Sequence, residues 1–132
     1  MKILVIDGQG GKMGRELIEE ILALCPEADI TAVGTNSMAT ANMIKGGVKN
    51  AATGENAAVV NSRRADVIVG PMGIVIADAL LGEITPAMAV AVGQSTAKKV
   101  LIPVSRCSTV VPGVTGSTGE LIKKAARAAL EI

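Results

Sequence analysis

The first fourteen residues constrain the fold more than any other part of this 132-residue chain. An apolar run from Ile3 to Ile6 has the composition of a buried strand and leads directly into a glycine-rich segment, residues 8–14. An amphipathic helical pattern follows at once, from about Gly11 to Leu24. A strand, a glycine turn and a helix in this order bring a nucleotide's phosphates against backbone N–H groups at the start of the helix. The segment therefore predicts a fold and a ligand class, and it does not identify a reaction.

The rest of the chain alternates predicted strands with predicted helices. The strands are predicted at about 2–6, 29–33, 48–52, 66–69 and 99–104, and the helices are predicted to end near 24, 45, 61, 96 and 130. Segment 73–81 is ambiguous between helix and strand and is predicted as a helix, whereas 105–114 is predicted as a loop or a short edge strand. The alternation predicts a single domain, residues 1–132, with a Rossmann-like, doubly wound fold. Its mostly parallel sheet of five to six strands would be the middle layer of three, α/β/α.

Two of the predicted helices carry start signals. Thr85 followed by Pro86 fits an N-cap residue with proline at the first helical position, and Ser117-x-x-Glu120 fits a capping box. The helix that begins at Pro86 is apolar nearly all round, so it is predicted to be buried on two sides.

Composition excludes several classes of function. The chain has no His, Phe, Tyr or Trp, which rules out histidine acid–base catalysis, histidine metal sites and a Tyr–Lys catalytic pair. A net charge of +1 argues against a nucleic-acid partner. No apolar run approaches the roughly 20 residues of a membrane helix, and no signal peptide is visible. With two cysteines, a reduced cytoplasmic location is expected, and the 49% hydrophobic content favours a homo-oligomer.

The glycine turn departs from the strict dinucleotide fingerprint G-x-G-x-x-G because Met13 stands at the third glycine position. Two looser patterns are met, with glycines at 8, 10 and 14 or at 8, 11 and 14. The candidate cofactor-binding residues of this turn are Gly8, Gln9, Gly10, Gly11, Lys12, Met13 and Gly14. A tight strand–helix connection that binds nothing is the alternative interpretation.

The end of the second predicted strand bears on the choice of nucleotide. NAD-binding proteins usually place an acid there for the ribose, but this chain has Gly34, Thr35, Asn36 and Ser37. The missing carboxylate and the short polar donors favour NADP over NAD, although no arginine stands here to hold a 2′-phosphate. Alternatively, Asn36 or Ser37 simply caps the second helix.

Further candidates follow the other strands. Gly54 and Glu55 follow the third strand, where Glu55 is either a base or ribose ligand or a first-turn acid that complements the helix dipole. Gly70 and Gly73 follow the fourth strand and predict either a close backbone approach to a ligand or a plain turn. Arg106, after the fifth strand, is a candidate anion clamp. Two more residues are singled out without a settled role: Cys107, for which burial is favoured over reactivity, and Asp78.

Two resemblances accompany this interpretation. The segments IDGQGGKMG (6–14), GTNSMAT (34–40), ATGENA (52–57), GPMGIVIADALLGEITP (70–86) and IPVSRC (102–107) together resemble a small, mainly clostridial bacterial family known as a domain of unknown function. That resemblance implies a Rossmann-like fold and no established activity. The turn Gly8–Arg15 is similar to G-x-x-G-[RK]-M-G-[RK] of dihydrodipicolinate reductases, in which it holds the pyrophosphate of NAD or NADP. Their histidine and lysine catalytic motif has no counterpart here, so the resemblance does not extend to their chemistry.

Three hypotheses follow for function. The first is a stand-alone nucleotide-binding module, a sensor or accessory subunit, with NADP(H) or another nucleotide as its ligand. The second is an oligomeric NADP-dependent oxidoreductase with a substrate pocket between subunits, motivated by the apolar segment 70–92. The third is a structural or interaction protein whose glycine turn is empty. No catalytic residue is assigned, because Lys12, Glu55, Asp78 and Cys107 have no evident partners in the sequence.

Overall fold

Five parallel strands form one sheet in the order β3-β2-β1-β4-β5 in the computed structural model, which describes residues 1–104 and 109–131. The strands are β1 (Lys2–Asp7), β2 (Asp29–Gly34), β3 (Asn50–Thr53), β4 (Val67–Pro71) and β5 (Lys98–Ile102). In the register of the central pairs, Val5 lies opposite Ala32 of β2 and Val69 of β4. The order reverses between β1 and β4, which places a topological switch point at their carboxyl ends.

Within the described residues, five α-helices cover the two faces of this sheet. They are α1 (Lys12–Leu24), α2 (Ser37–Lys45), α3 (Glu55–Arg64), α4 (Pro86–Gln94) and α5 (Thr118–Leu130), with a short 3-10 helix at Met72–Val75. Ile3 and Val5 of β1 pack in one core with α1, α2 and α5. Leu4 and Ile6 pack in a second core with α3 and α4. The central strand is thus buried on both sides, and the predicted doubly wound, three-layer α/β/α Rossmann-like fold is confirmed.

The predicted helix start signals are confirmed. The Thr85 Oγ1 accepts a hydrogen bond from the Met88 N–H (3.2 Å) at the start of α4. The Ser117 Oγ accepts one from the Glu120 N–H (3.2 Å) at the start of α5. Each bond satisfies a backbone donor that the first helical turn leaves without an intrahelical acceptor.

The helix predicted over 73–81 is wrong. After the 3-10 helix the chain makes consecutive turns, which we call the 76–85 loop. Asp78, Leu80 and Leu81 have φ angles of 66°, 57° and 58°, in the left-handed region that a right-handed helix cannot contain. The segment is apolar because individual residues of the turns are buried in the core, among them Ile84, which is fully buried.

The prediction that α4 is buried on two sides is also wrong for the chain on its own. Met88, Ala89 and Val92 are buried, whereas Val90 is 53% exposed. The helix packs one face against α3 and the sheet, and its other face points outward. Residues 109–114 contain no strand, and the rest of the predicted 105–114 segment, 105–108, lies outside the described residues.

The two outer strands of the sheet, β3 and β5, differ in length and in the contacts at their ends. β3 has only four residues. β5 begins with Lys98, whose Nζ donates to the Ala128 carbonyl (2.8 Å) and the Glu131 carbonyl (2.9 Å) at the end of α5.

Across the two described ranges, no helix is long and apolar enough to cross a membrane.

Candidate functional site

The glycine turn begins at Asp7, the last residue of the central strand. Asp7 is only 6% exposed. Its Oδ1 accepts from the Gly8 N–H (2.8 Å) and its Oδ2 accepts from the Gly14 N–H (2.7 Å). This carboxylate therefore ties both ends of the turn to the strand that precedes it.

The environment of Asp7 shifts its pKa upward. Burial has the largest effect and raises the pKa, while the hydrogen bonds from Gly14 and Gly8 lower it. The negative charge of Glu83 raises it further. The net direction is upward from the ordinary aspartate value.

The glycines of the turn have different structural roles. Gly11 is the N-cap of α1 with φ 75°, and a Cβ there would lie 2.6 Å from the carbonyl oxygen of Ala39. A Cβ at Gly14 would lie 2.5 Å from the Met43 sulfur. A Cβ at Gly10, by contrast, would meet nothing within 4 Å. Close packing of α1 against α2 thus requires glycine at 11 and 14, whereas the surface above Gly10 is open.

Three backbone donors of the turn have no acceptor within residues 1–104 and 109–131. They are the N–H groups of Gly10, Lys12 and Met13, whereas the Gly11 N–H donates to the Gly8 carbonyl (2.9 Å). Lys12 and Met13 open the 13-residue helix α1, whose first turn carries the positive end of the helix dipole. Unpaired donors at such a helix start are suited to an anion.

These donors border a cleft of about 610 Å³ at the topological switch point. The glycine turn lines this cleft together with Pro71 at the end of β4 and Val104 beyond β5. Thr118 and Ile122 from the first turns of α5 complete the lining among the described residues. The volume falls within the range of about 300–1,000 Å³ that small-molecule sites occupy.

Glu83, which was not predicted from the sequence, belongs to the 76–85 loop and contacts the residues that follow β2, beside the cleft rather than among the residues that line it. Its Oε1 accepts from the Gln9 N–H (2.9 Å), the Thr35 Oγ1 (2.5 Å) and the Asn36 Nδ2 (2.8 Å). The carboxylate that is missing from the sequence after β2 is therefore supplied by the 76–85 loop. In the part of the chain that the structure describes, Glu83 Oε2 accepts no hydrogen bond.

The surroundings of Glu83 lower its pKa. Partial desolvation is the largest single effect and raises the pKa. The hydrogen bonds from Thr35, Gln9 and Asn36 all lower it, and together they outweigh the desolvation. Glu83 is consequently ionised at neutral pH.

The Asn36 side chain both caps α2 and binds Glu83. Its Oδ1 accepts from the Ala39 N–H (2.8 Å) as the N-cap of α2, which confirms the capping interpretation. Its Nδ2 donates to Glu83 and also to the Gln9 carbonyl (2.9 Å). Gly34, two residues earlier, is buried, and a Cβ there would collide with the Thr40 hydroxyl.

Glu55 and the neighbouring Gly54 lie apart from the cleft. Glu55 is in the first turn of α3 and its Oε1 accepts from the Thr85 Oγ1 (2.6 Å). The Gly54 N–H donates to the Gly34 carbonyl (2.9 Å). Both contacts join structural elements, which favours the structural interpretation of this pair.

The other candidates are likewise outside the cleft lining. Gly70 is buried in β4, where a Cβ would collide with the Ile6 carbonyl, and Gly73 is buried in the 3-10 helix. Asp78 is an exposed turn residue. Arg106 and Cys107 lie outside the described residues. Within the described ranges, no three or more acidic or cysteine side chains are grouped to hold a metal ion.

Glu83 is difficult to recognise from sequence because it is separated from Asn36 by 47 positions. The one available signal is an isolated acid that follows Gly82 inside an apolar segment. Its place beside the glycine turn depends on the path of the 76–85 loop across the sheet edge.

Fold and site together define a Rossmann-like α/β protein with a glycine turn at the switch point. Within that class, the chain belongs to the family described as Domain of unknown function (DUF3842), whose model matches residues 2–132. No curated protein matches the sequence.

Two solved structures are similar to this chain. A dodecameric FMN-dependent UbiX-like decarboxylase from Escherichia coli O157:H7 has a TM-score of 0.49 and 18% identity, over 98% of this chain and 76% of that one. TubZ of Clostridium botulinum phage c-st has a TM-score of 0.48 and 10% identity, over 98% of this chain and 46% of that one. At these values neither likeness assigns a ligand or an activity to this chain.

Proposed function

We propose that this protein is a nucleotide-binding module that holds the phosphate groups of its ligand at the glycine turn. The observation that carries the proposal is the set of three N–H groups at Gly10, Lys12 and Met13 that have no acceptor among the described residues, in a turn that lines the cleft of about 610 Å³. Backbone donors at a helix start bind phosphate oxygens without needing a side chain. The exposed Lys12 side chain adds positive charge at the same place.

Glu83 changes the preferred nucleotide. The preference for NADP depended on the absence of a carboxylate at the end of β2, but Glu83 places one against Thr35 and Asn36. A 2′-phosphate beside this ionised group would be repelled. We therefore propose nucleotides with a 5′-phosphate or pyrophosphate as the ligand class, without the preference for NADP.

The proposal is limited to binding, as a sensor or accessory subunit. Asp7, Lys12 and Glu16 are the titratable residues that line the cleft within the described ranges. Asp7 is held by two backbone bonds, and no hydrogen bond joins it to Lys12 or Glu16 among those residues. Among the described lining residues, these three side chains form no hydrogen-bonded pair of the kind that acid–base catalysis requires.

Native mass spectrometry of freshly purified protein, followed by isothermal titration, tests the proposal. Because the chain has no aromatic residues, near-ultraviolet absorbance of the purified protein reports a retained nucleotide directly. The titration panel is NAD(H), NADP(H), FAD, FMN, AMP and ATP. We expect binding of at least one of these at one molecule per chain, and silence across the whole panel would refute the proposal.

Gly10→Val locates the binding site. A Cβ at this position meets nothing within 4 Å, so we expect valine to leave the fold intact while its methyl groups cover the donors of the turn. We expect affinity to fall at least about tenfold, equivalent to about 1.4 kcal/mol. Gly93→Val is the matched control, because Gly93 in α4 is equally free of neighbours and lies outside the cleft lining. Unchanged binding in Gly10→Val would place the ligand elsewhere.

A further inference from the structure

We propose that Glu83 selects nucleotides whose ribose carries a free 2′-hydroxyl and rejects those with a 2′-phosphate. This inference rests on the proposed nucleotide-binding function. It concerns a residue supplied by the 76–85 loop rather than by the strand end that usually provides this group.

The 76–85 loop carries Glu83 from the β4 side of the sheet edge to the β2 side. Over the glycine turn, a Cβ at Gly8 would lie 2.9 Å from Leu80 Cδ1 and 3.0 Å from Glu83 Oε1. At the end of β2, Glu83 contacts Thr35 and Asn36. In doubly wound nucleotide-binding folds, an acid at this place accepts the hydrogen bond of the ribose 2′-hydroxyl. Glu83 therefore restores the expected functional group from a different part of the chain.

The carboxylate of Glu83 is fixed in orientation and has one oxygen available. Three donors from the turn and from the end of β2 converge on Oε1, whereas Oε2 accepts none among residues 1–104 and 109–131. An ionised carboxylate accepts hydrogen bonds and cannot donate. Oε2 can thus accept a hydrogen bond from a ribose hydroxyl. A phosphate dianion at the same place has no proton to donate and is repelled by the carboxylate.

The backbone conformation of the 76–85 loop indicates that tertiary contacts hold Glu83 in its position. Asp78, Leu80 and Leu81 all have positive φ angles, a conformation that residues with side chains rarely adopt. Such conformations persist where surrounding contacts determine them, and they concentrate at functional sites. The contacts here are the fully buried Ile84 and the three hydrogen bonds to Glu83.

Titration with NAD⁺ and NADP⁺, which differ only by the 2′-phosphate, tests the inference. A hydrogen bond to a charged group corresponds to about a 10- to 100-fold change in affinity. We expect the wild-type protein to bind NAD⁺ at least about tenfold more tightly than NADP⁺. In Glu83→Gln the ratio should approach one, chiefly because NADP⁺ binds better.

Glu20→Gln is the control for the loss of one negative charge. Glu20 lies about 12 Å along α1 from Lys12, so it is remote from the glycine turn that Glu83 contacts. Its substitution should leave the NAD⁺-to-NADP⁺ ratio unchanged. The wild-type ratio is itself a test that does not require the Glu83→Gln protein to fold.

The outcomes separate the two proposals. Equal or tighter wild-type binding of NADP⁺ overturns the inference. An equal gain for both nucleotides in Glu83→Gln also overturns it, because Glu83 would then act as an internal anion competing for the turn. Binding of FMN or ATP but of neither dinucleotide leaves the proposed function standing and removes the selectivity role. Silence across the full panel removes both.

Discussion

Asp7 and Glu83 flank the same glycine turn, yet their pKa values shift in opposite directions. Asp7 is buried beneath the turn, and its two backbone hydrogen bonds do not offset the loss of water. Glu83 is only partly covered and gains three donors, which lower its pKa despite some desolvation. Position relative to the turn, rather than residue type, sets the direction of each pKa shift.

These shifts have defined consequences for stability. A lowered pKa in the folded state means that the Glu83 contribution is present above its ordinary value of 4.5 and is lost as pH falls through the folded pKa. The raised pKa of Asp7 has the opposite effect. Its contribution is fully present below the ordinary value of 3.8 and is lost as pH rises through the folded pKa.

We predict that Glu83→Gln lowers the free energy of unfolding at neutral pH, and that this loss shrinks as the pH falls through the folded pKa of Glu83, which lies below the ordinary value of 4.5. The neutral-pH loss should be up to about 1 kcal/mol, after allowance for solvent screening. Urea unfolding of both proteins across this pH range measures the difference. A difference that stays constant with pH would show that the charge of Glu83 does not stabilise the fold.

We predict that Gly11→Ala destabilises the protein by about 2–4 kcal/mol. The added methyl would meet the Ala39 backbone at 2.6 Å, and alanine is strained at φ 75°. Gly10→Ala is the matched control one residue earlier, where nothing lies within 4 Å, and its effect should stay within about 0.5 kcal/mol. Chemical denaturation compares the two, and similar effects would contradict this account of the turn.

At the scale of elements, Thr85 joins the 76–85 loop to two helices. Its hydroxyl oxygen accepts from the Met88 N–H of α4, and its hydroxyl proton is donated to Glu55 of α3. One side chain therefore caps α4 and fixes the end of the loop against α3.

We predict that Thr85→Ala lowers the free energy of unfolding by about 1 kcal/mol, because the cap of α4 is lost. Thr85→Ser retains the hydroxyl and should recover most of this stability. Thr96→Ala, at an exposed position beyond α4, should change stability by less than about 0.5 kcal/mol. Thermal or urea unfolding of the three variants checks the order, and an effect at Thr96 equal to that at Thr85 would refute it.

The elements differ in how far the sequence predicts them. β1, α1 and the capped helices α4 and α5 carry local signals, namely an apolar strand run, helical periodicity and capping residues. In the 76–85 loop Gly82 is a turn signal, but the left-handed residues Asp78, Leu80 and Leu81 are not glycines, so the path of the loop cannot be read from the sequence. The site divides in the same way: the turn is recognisable from its glycines, whereas Glu83 depends on long-range chain path.

At the scale of the whole molecule, the apolar composition still predicts self-association. Leu81 is 96% exposed, and Val90 on the outer face of α4 is 53% exposed. Both belong to the apolar segment 70–92 in which a subunit contact is expected. Exposed apolar residues of this kind favour an interface when they lie close together.

We predict that sedimentation equilibrium gives a mass above the 13.3 kDa of one chain. Leu81→Lys should shift the equilibrium toward the single chain without loss of stability, because the side chain makes almost no contact within the chain. Val110→Lys, at an 87% exposed position outside this segment, is the control. A wild-type protein that is monomeric at micromolar concentration would contradict the prediction of self-association.

The outer strands of the sheet determine the form that such association can take. An open edge strand is a template on which another chain can extend the sheet, and long apolar edges lead to aggregation. β3 offers only four residues, and β5 begins with two lysines, one of which is bound to the end of α5. Both edges are therefore poor templates, so stable assemblies of this chain should be limited in size rather than fibrous.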